Sequence, residues 1–350
     1  MKRTLSAAAI VAAGGAALGV PISNDPAWTV NVYDTGGFLD PATNNGLFLG
    51  GLEVDPAGGT VYVVGHDVAP GGASNVSILI RSTGPGTAVV DPAGGPLQQW
   101  TRGNDLTYSN GQYYIAANRP TPSALLGGVY GFTPGVAGFA TWAEGQMYWE
   151  TSGLTFNAAG TQGLVTSDVG IGHHAVAAGT PFSTLLVDEQ PAPTGYGGGA
   201  DDHVITLDGR TIVVTDQQRW LYDITGGAGA VAQFFDLATI PGATFPGVGS
   251  RGTVDPATGD LFVAYATGGT EIYRIRADGS AGSIFATGFV SGVRDIDFGL
   301  ASDGSGNFSL YATEIDGTTG IGSIYEFVIP GPSALAALAL AGVVATRRRR

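Results

Sequence analysis

The chain has 350 residues, 58 glycines, 19 prolines and no cysteine, with 44% apolar and 13% charged residues. The missing cysteines exclude disulfides, thiolate metal sites and cysteine nucleophiles, and the apolar content excludes a disordered chain. Between Lys2-Arg3 and the four closing arginines lie nine arginines against 29 acids, a net of about −20; such a surface repels phosphate backbones and argues against a nucleic-acid partner.

Met1-Lys-Arg3 precedes an Ala- and Gly-rich apolar run from Leu5 to Val20, then Pro21 and a polar shift. A positive start followed by a weak apolar core is the layout of a cleaved secretory leader, placed here at residues 1–22. Next comes Trp28-Thr-Val-Asn-Val-Tyr33, a short alternating strand.

Residues 28–328 form one body built on a repeated unit: an alternating strand, a Gly-containing turn, then a strong apolar strand. The first strands read Leu52-Glu-Val-Asp55, Leu106-Thr-Tyr-Ser109, Leu154-Thr-Phe-Asn157, Ile205-Thr-Leu-Asp208, Gly252-Thr-Val-Asp255 and Ile296-Asp-Phe-Gly299. In this alignment the second position is polar and the third apolar in all six, as a strand with two unlike faces requires. Turn residues such as Asp55-Pro-Ala-Gly-Gly59 and Asp255-Pro-Ala-Thr-Gly259 follow, and successive units lie 54, 48, 51, 47 and 44 residues apart. That period suits a blade of four antiparallel strands. The expectation is an all-β, six-bladed β-propeller, with five or seven blades left open by the count. The sixth unit offers only three strands, and Trp28–Tyr33 is expected to complete it, closing the ring without a free edge. The third unit is the least regular, interrupted from His173-His174 through Asp188. The pattern Gly51-Leu-x-Val-Asp-Pro through Val61-Tyr-Val-Val64 is similar to repeats of NHL and gluconolactonase-like propellers, a resemblance that bears on fold.

Antiparallel order places the start of each first strand and the end of each second strand on one rim. Asp67, Asp105, Asp168, Asp202, His203, Asp216, Arg251, Arg294, Asp295 and Glu314 are the candidate binding residues there. Converging carboxylates could hold Ca²⁺ or another divalent cation through oxygen. Resemblance to gluconolactonase-type propellers implies metal-assisted lactone hydrolysis as one activity, and His203 as the base of a lyase is a further option. The structural alternative is that Asp and Asn end strands because they cap turns. Trp100, Trp142, Trp149 and Trp220 are expected to fill gaps between blades.

Residues 329–350 open with Ile329-Pro330-Gly331-Pro332, continue with an uncharged apolar run from Ser333 to Thr346, and end in Arg347, Arg348, Arg349 and Arg350. The uncharged stretch is close to a bilayer core in helical length, and the arginines would hold its far end in the cytoplasm. This arrangement resembles the PEP-CTERM sorting signal of bacterial exported proteins, with Gly331 where the commonest form has Glu. The resemblance implies transient membrane anchoring, processing by an exosortase-type membrane protease, and delivery to the cell envelope or an exopolysaccharide matrix. The leading expectation is therefore a surface propeller acting as a binding or structural module for exopolysaccharide or another surface ligand. The alternative is a metal-dependent propeller hydrolase, lactonase-like, or a lyase.

Overall fold

The computed structural model describes residues 20–329, apart from 36–46, 68–76, 95–100, 121–124, 147–150, 158, 168–171, 180–183, 188–199, 217–218, 245–246 and 316–321. The leader through residue 19 and the tail from Pro330 onward, with its apolar run and arginines, lie outside the described residues. Among the described residues no helix is long and apolar enough to cross a membrane.

The chain opens with β1 (Ile22–Ser23) and β2 (Thr29–Thr35), and then builds six antiparallel sheets in sequence order. Blade one is β3 (Leu47–Val54), β4 (Val61–Asp67), β5 (Ser77–Ser82) and β6 (Val89–Val90). Blade two is β7 (Thr101–Ser109), β8 (Gln112–Pro120), β9 (Leu125–Phe132) and β10 (Phe139–Gln146). Blade three is β11 (Thr151–Phe156), β12 (Gln162–Ser167), β13 (Gly172–Ala177) and β14 (Thr184–Val187); blade four is β15 (Ala200–Ile205), β16 (Thr211–Thr215), β17 (Trp220–Asp223) and β18 (Ala232–Asp236). Blade five is β19 (Val248–Val254), β20 (Leu261–Thr267), β21 (Glu271–Ile275) and β22 (Gly282–Thr287); blade six is β23 (Val293–Leu300), β24 (Phe308–Ile315) and β25 (Gly322–Val328). The fold is the six-bladed propeller that the repeat implies.

Ring closure is as the sequence suggests. β2 adds to β25 in antiparallel register, Thr29 opposite Val328 and Val32 opposite Tyr325, and so supplies the outer strand of blade six. Trp28 sits buried at the seam, its ring 5.3 Å from Phe285 and 6.4 Å from both Phe262 and Phe298. These partners belong to blades five and six, so the first residues of the body lock its last two blades together. Trp142 fills a similar gap, packed on Tyr114 of blade two and Phe156 of blade three.

Three details depart from the sequence reading. Sheet structure begins before Trp28: Ile22 and Ser23 pair with Thr287 and Ala286, giving blade five a fifth strand. The irregular third unit still forms four strands, because β13 pairs in unbroken register with β12 from Gly172–Ser167 to Ala177–Gln162. The fourth unit is framed two residues earlier than its apolar pattern suggests. Its hairpin turn starts at Thr206, whose N–H bonds the Arg210 carbonyl, so His203-Val204-Ile205-Thr206 is the counterpart of Leu52-Glu-Val-Asp55. The apolar Val204 therefore occupies the position that is polar in the other five units.

Turn chemistry explains why the first hairpins are tight. The Asp55 carboxylate accepts the Ala57 N–H at 2.8 Å while Gly58 and Gly59 hold φ of +80°, a conformation that a side chain would strain.

Two stability measurements check this packing. Trp28→Ala should cost about 3–5 kcal/mol, the usual range for truncating a buried aromatic, and lower the denaturant midpoint accordingly. Gly51→Ala should prevent correct closure of blades one and two, because its Cβ would lie 2.3 Å from the Leu106 nitrogen and 2.4 Å from the Asp105 Cα; a wild-type-like melting curve would contradict this packing.

Candidate functional site: the propeller axis

The innermost strand of each blade has hydrogen-bonded partners on one side only. Its other edge faces the axis, where backbone N–H groups must find acceptors or remain unsatisfied at a cost of about 1–3 kcal/mol each. Three aspartates supply those acceptors. Asp105 accepts from Leu106 N at 2.8 Å and from Leu154 N of blade three at 2.5 Å. Asp202 accepts from His203 N at 2.7 Å and from Gly252 N of blade five at 2.8 Å. Asp295 accepts from Ile296 N at 2.9 Å and from Leu52 N of blade one at 2.5 Å. Each aspartate thus joins its own blade to the next, and together they satisfy the equivalent N–H of all six inner strands.

The aspartates stand in blades two, four and six. The same position holds Gly51, Gly153 and Arg251 in blades one, three and five, and the six positions are spaced 54, 48, 49, 49 and 44 residues apart. Arg251 is buried among the carboxylates, its Nε 3.8 Å from Asp295 and 3.0 Å from the Arg294 carbonyl, and its Nη1 2.7 Å from the Ser250 carbonyl. Burial pushes Asp105, Asp202 and Asp295 well above the usual carboxylate range, and the Arg251 charge pulls each back down. Burial also lowers the Arg294 guanidinium to about 10, with the Arg251 charge adding to the effect.

A second, partial tier lies two residues further along the strands. Asp297 accepts from Val54 N at 3.3 Å and from the Thr253 hydroxyl at 3.3 Å, and Glu53 accepts from Tyr108 N at 2.6 Å. The Asp297 and Glu53 carboxyl groups are near enough to act on each other electrostatically. Burial raises Asp297 to about 7. Burial first, then the Asp297 charge, raises Glu53 well above the carboxylate range. These two carboxyls, Thr107, Thr155 and Thr253 line a cavity of about 310 Å³ that runs from the aspartate tier to Leu207 and Pro256 in the hairpin turns. The cavity therefore opens on the hairpin face, opposite to the rim where the candidates were sought.

The remaining candidates take other places. Asp216 follows β16 directly and accepts from Gly249 N at 3.1 Å and Ser250 N at 2.7 Å, tying blade four to the start of blade five. Glu314 is fully buried and accepts from the Val290 N–H, from Ser291 N at 3.0 Å and from the Tyr325 hydroxyl at 3.2 Å. The His203 ring turns away from the axis toward blade three, its Nδ1 2.8 Å from the Thr166 hydroxyl, where four other blades place Leu or Ile. Burial lowers its pKa to about 4. Asp67 ends β4, opposite Leu47, and Asp168 lies outside the described residues. The structure thus gathers Asp105, Asp202, Arg251, Arg294 and Asp295 at the axis and leaves Asp216, Glu314 and the His203 ring apart.

Sequence reasoning passed over Glu53 and Asp297 as site residues, although both hold the polar middle position of the repeat. It also passed over Asp34 and Asp91, which staple outer strands. Asp34 takes the Gly86 N–H at 2.8 Å together with the Ser82 hydroxyl, and Asp91 takes the Gly135 N–H at 2.8 Å.

A divalent cation needs several converging oxygen donors with lone pairs to offer. Among the described residues no group of three or more His, Asp or Glu side chains is disposed in that way. The axial carboxylate oxygens already accept backbone N–H groups. Among the described residues the axial carboxylates therefore do not form such a donor set.

The titrations run in opposite senses. Asp297 holds its proton more tightly folded than unfolded, so the stability it contributes is complete below about pH 4 and lost as pH rises through about 7. His203 binds its proton less tightly folded, so its contribution is complete above about pH 6.5 and lost as pH falls through about 4. Urea midpoints measured from pH 4 to 8 should show Asp297→Asn reducing the falling component, to which the raised Glu53, Asp105, Asp202 and Asp295 also contribute, and His203→Leu removing the rising one. Parallel profiles for wild type and both variants would contradict the assigned environments.

No protein-family profile matches the chain, and no curated protein matches its sequence. Solved structures do resemble it. An α-L-arabinanase of Penicillium chrysogenum complexed with arabinobiose superposes with a TM-score of 0.60 at 12% identity, over 86% of this chain and 98% of that one. The GH93 α-L-arabinofuranosidase of Fusarium graminearum with arabinobiose gives 0.60 at 13% identity over the same shares. A structural-genomics protein of unknown function from Bacteroides thetaiotaomicron gives 0.56 at 12%, over 86% of this chain and 76% of that one. At such identities the likeness establishes the fold, a β-propeller.

Proposed function

We propose that this protein is an exported bacterial propeller, sorted to the cell envelope through its PEP-CTERM-like tail, that serves as a binding or structural module. The observation that carries the non-catalytic reading is the use of the axial acids. Asp105, Asp202 and Asp295 each place both oxygens on backbone N–H groups of neighbouring blades. A carboxylate so engaged is a poor nucleophile or metal ligand. His203 is a buried ring facing another blade, its Nδ1 2.8 Å from the Thr166 hydroxyl, which argues against its reaching a substrate as the base of a lyase.

The competing reading is a propeller hydrolase or lyase, and arabinobiose, the sugar held by two structural neighbours, is the first ligand to try. Purified protein should show no turnover of arabinan oligosaccharides or lactones, and its melting temperature should not move on chelation with EDTA. Turnover abolished by EDTA would establish the hydrolase instead. For sorting, mass spectrometry of the mature protein from a host with an exosortase-type protease should find a C-terminus at or before Pro332. Recovery of the peptide ending in Arg350 would refute processing.

A further inference from the structure

The two ends of the propeller leave it on opposite faces. β25 ends at Val328, opposite Thr29 and one residue beyond the Phe327–Leu310 pair, at the level where Phe308 faces Leu300. That is the hairpin face, onto which the axial cavity opens. Ile22 pairs instead with Thr287, which also faces Glu271 at the start of β21, on the other face. The seven residues of β2 separate these levels by about 23 Å.

Only Ile329-Pro-Gly-Pro332 lies between Val328 and the apolar run that begins at Ser333. Even fully extended, that link spans at most about 18 Å. A run that enters the bilayer must therefore hold the hairpin end of blade six close to the membrane surface. Four large apolar side chains are exposed at this same end and spread around the ring: Val136 of blade two at 58%, Leu207 of blade four at 64%, Phe308 of blade six at 39%, and Ile329 at 38%. Between them stand exposed Asp208, Asp278 and Asp303, with Arg210 ion-paired to Asp208 at 2.9 Å and exposed Arg276 beside Asp278, so the face offers no unopposed basic patch to anionic headgroups. Such a face can be held against a bilayer by a tether but does not adhere to it alone.

We propose that, while its tail is in the membrane, the propeller stands with the hairpin face and its axial cavity turned toward the bilayer, and the opposite face turned outward. Cutting the tail then frees the hairpin face, because it presents no unopposed basic patch to anionic lipid. This orientation rests on the tail-anchoring reading given above.

The chain contains no cysteine, so single labels are unambiguous. Asp278→Cys and Asp303→Cys mark the hairpin face, and Thr267→Cys and Val290→Cys the opposite one; all four positions are exposed. Each full-length variant is labelled with a donor fluorophore and reconstituted into phosphatidylethanolamine–phosphatidylglycerol liposomes carrying headgroup acceptors. Flotation is read first. With the chain in the liposome fraction, labels at 278 and 303 should transfer energy at least about twice as efficiently as those at 267 and 290, given a separation of one strand length. Equal transfer from both pairs would mean that the ring stands on edge, and stronger transfer from 267 and 290 that it is inverted; either overturns the orientation while leaving anchoring intact. A chain that fails to float shows that the tail does not anchor, and the orientation falls with it.

Discussion

The constraint on which the structure depends is the open inner edge of its six blades. Each first strand is paired on one side and must face its neighbours across a narrow axis with backbone donors that no strand can satisfy. In a larger ring water could fill this role. Here Asp105, Asp202 and Asp295 each reach across one blade boundary, and between them they take the N–H of Leu52, Leu106, Leu154, His203, Gly252 and Ile296. The hydrogen bonds that satisfy the edge are the same ones that set adjacent blades in register, so closure and polar satisfaction are one problem with one solution.

The same logic extends outward and explains why an acidic chain folds. Asp34, Asp91, Asp216 and Glu314 also accept backbone N–H groups from turns or strand starts. Glu271 and Glu326 each combine a backbone N–H with a tyrosine hydroxyl, Tyr273 and Tyr311 respectively. Backbone amides are fixed partial positive charges, and a carboxylate reaching two of them is favourable without a basic side chain. Nine body arginines can therefore suffice where 29 acids are present. The axial acids concentrate the cost: three carboxylates share one lumen, burial disfavours their charge, and Arg251 alone among the six equivalent positions brings compensating charge.

Much of this was legible in the sequence, because blade spacing and hairpin chemistry are local. Asp55-Pro-Ala-Gly-Gly59 announces a tight turn whatever surrounds it, and Trp28–Tyr33 could be assigned to blade six because only three strands were countable there. The fourth unit was misframed for a related reason. Thr206 begins its turn where blades one, three and five use Asp55, Asn157 and Asp255, and the nearby Asp208-Gly209 is the stronger local signal. Asp105, Asp202 and Asp295 were picked out as converging acids, but sequence could not tell what they converge on. Whether an aspartate meets a cation or a neighbouring backbone depends on the distance between blades, and that is set by Gly51, Leu106 and the packing behind them.

Alternation around the axis then follows from geometry and charge together. One carboxylate has two oxygens and can serve two strands, so three aspartates in alternate blades are enough for six. A fourth would add charge without a donor left to meet it. The intervening positions must give way: Gly51 lies so close to the Asp105–Leu106 backbone that even a methyl group would collide with it, and Arg251 answers the carboxylates electrostatically. In an axis satisfied in this way the three aspartates are committed to holding the blades together. The faces of the ring are left to differ by where the chain enters and leaves it: Val328 ends on the hairpin face and Ile22 lies on the other.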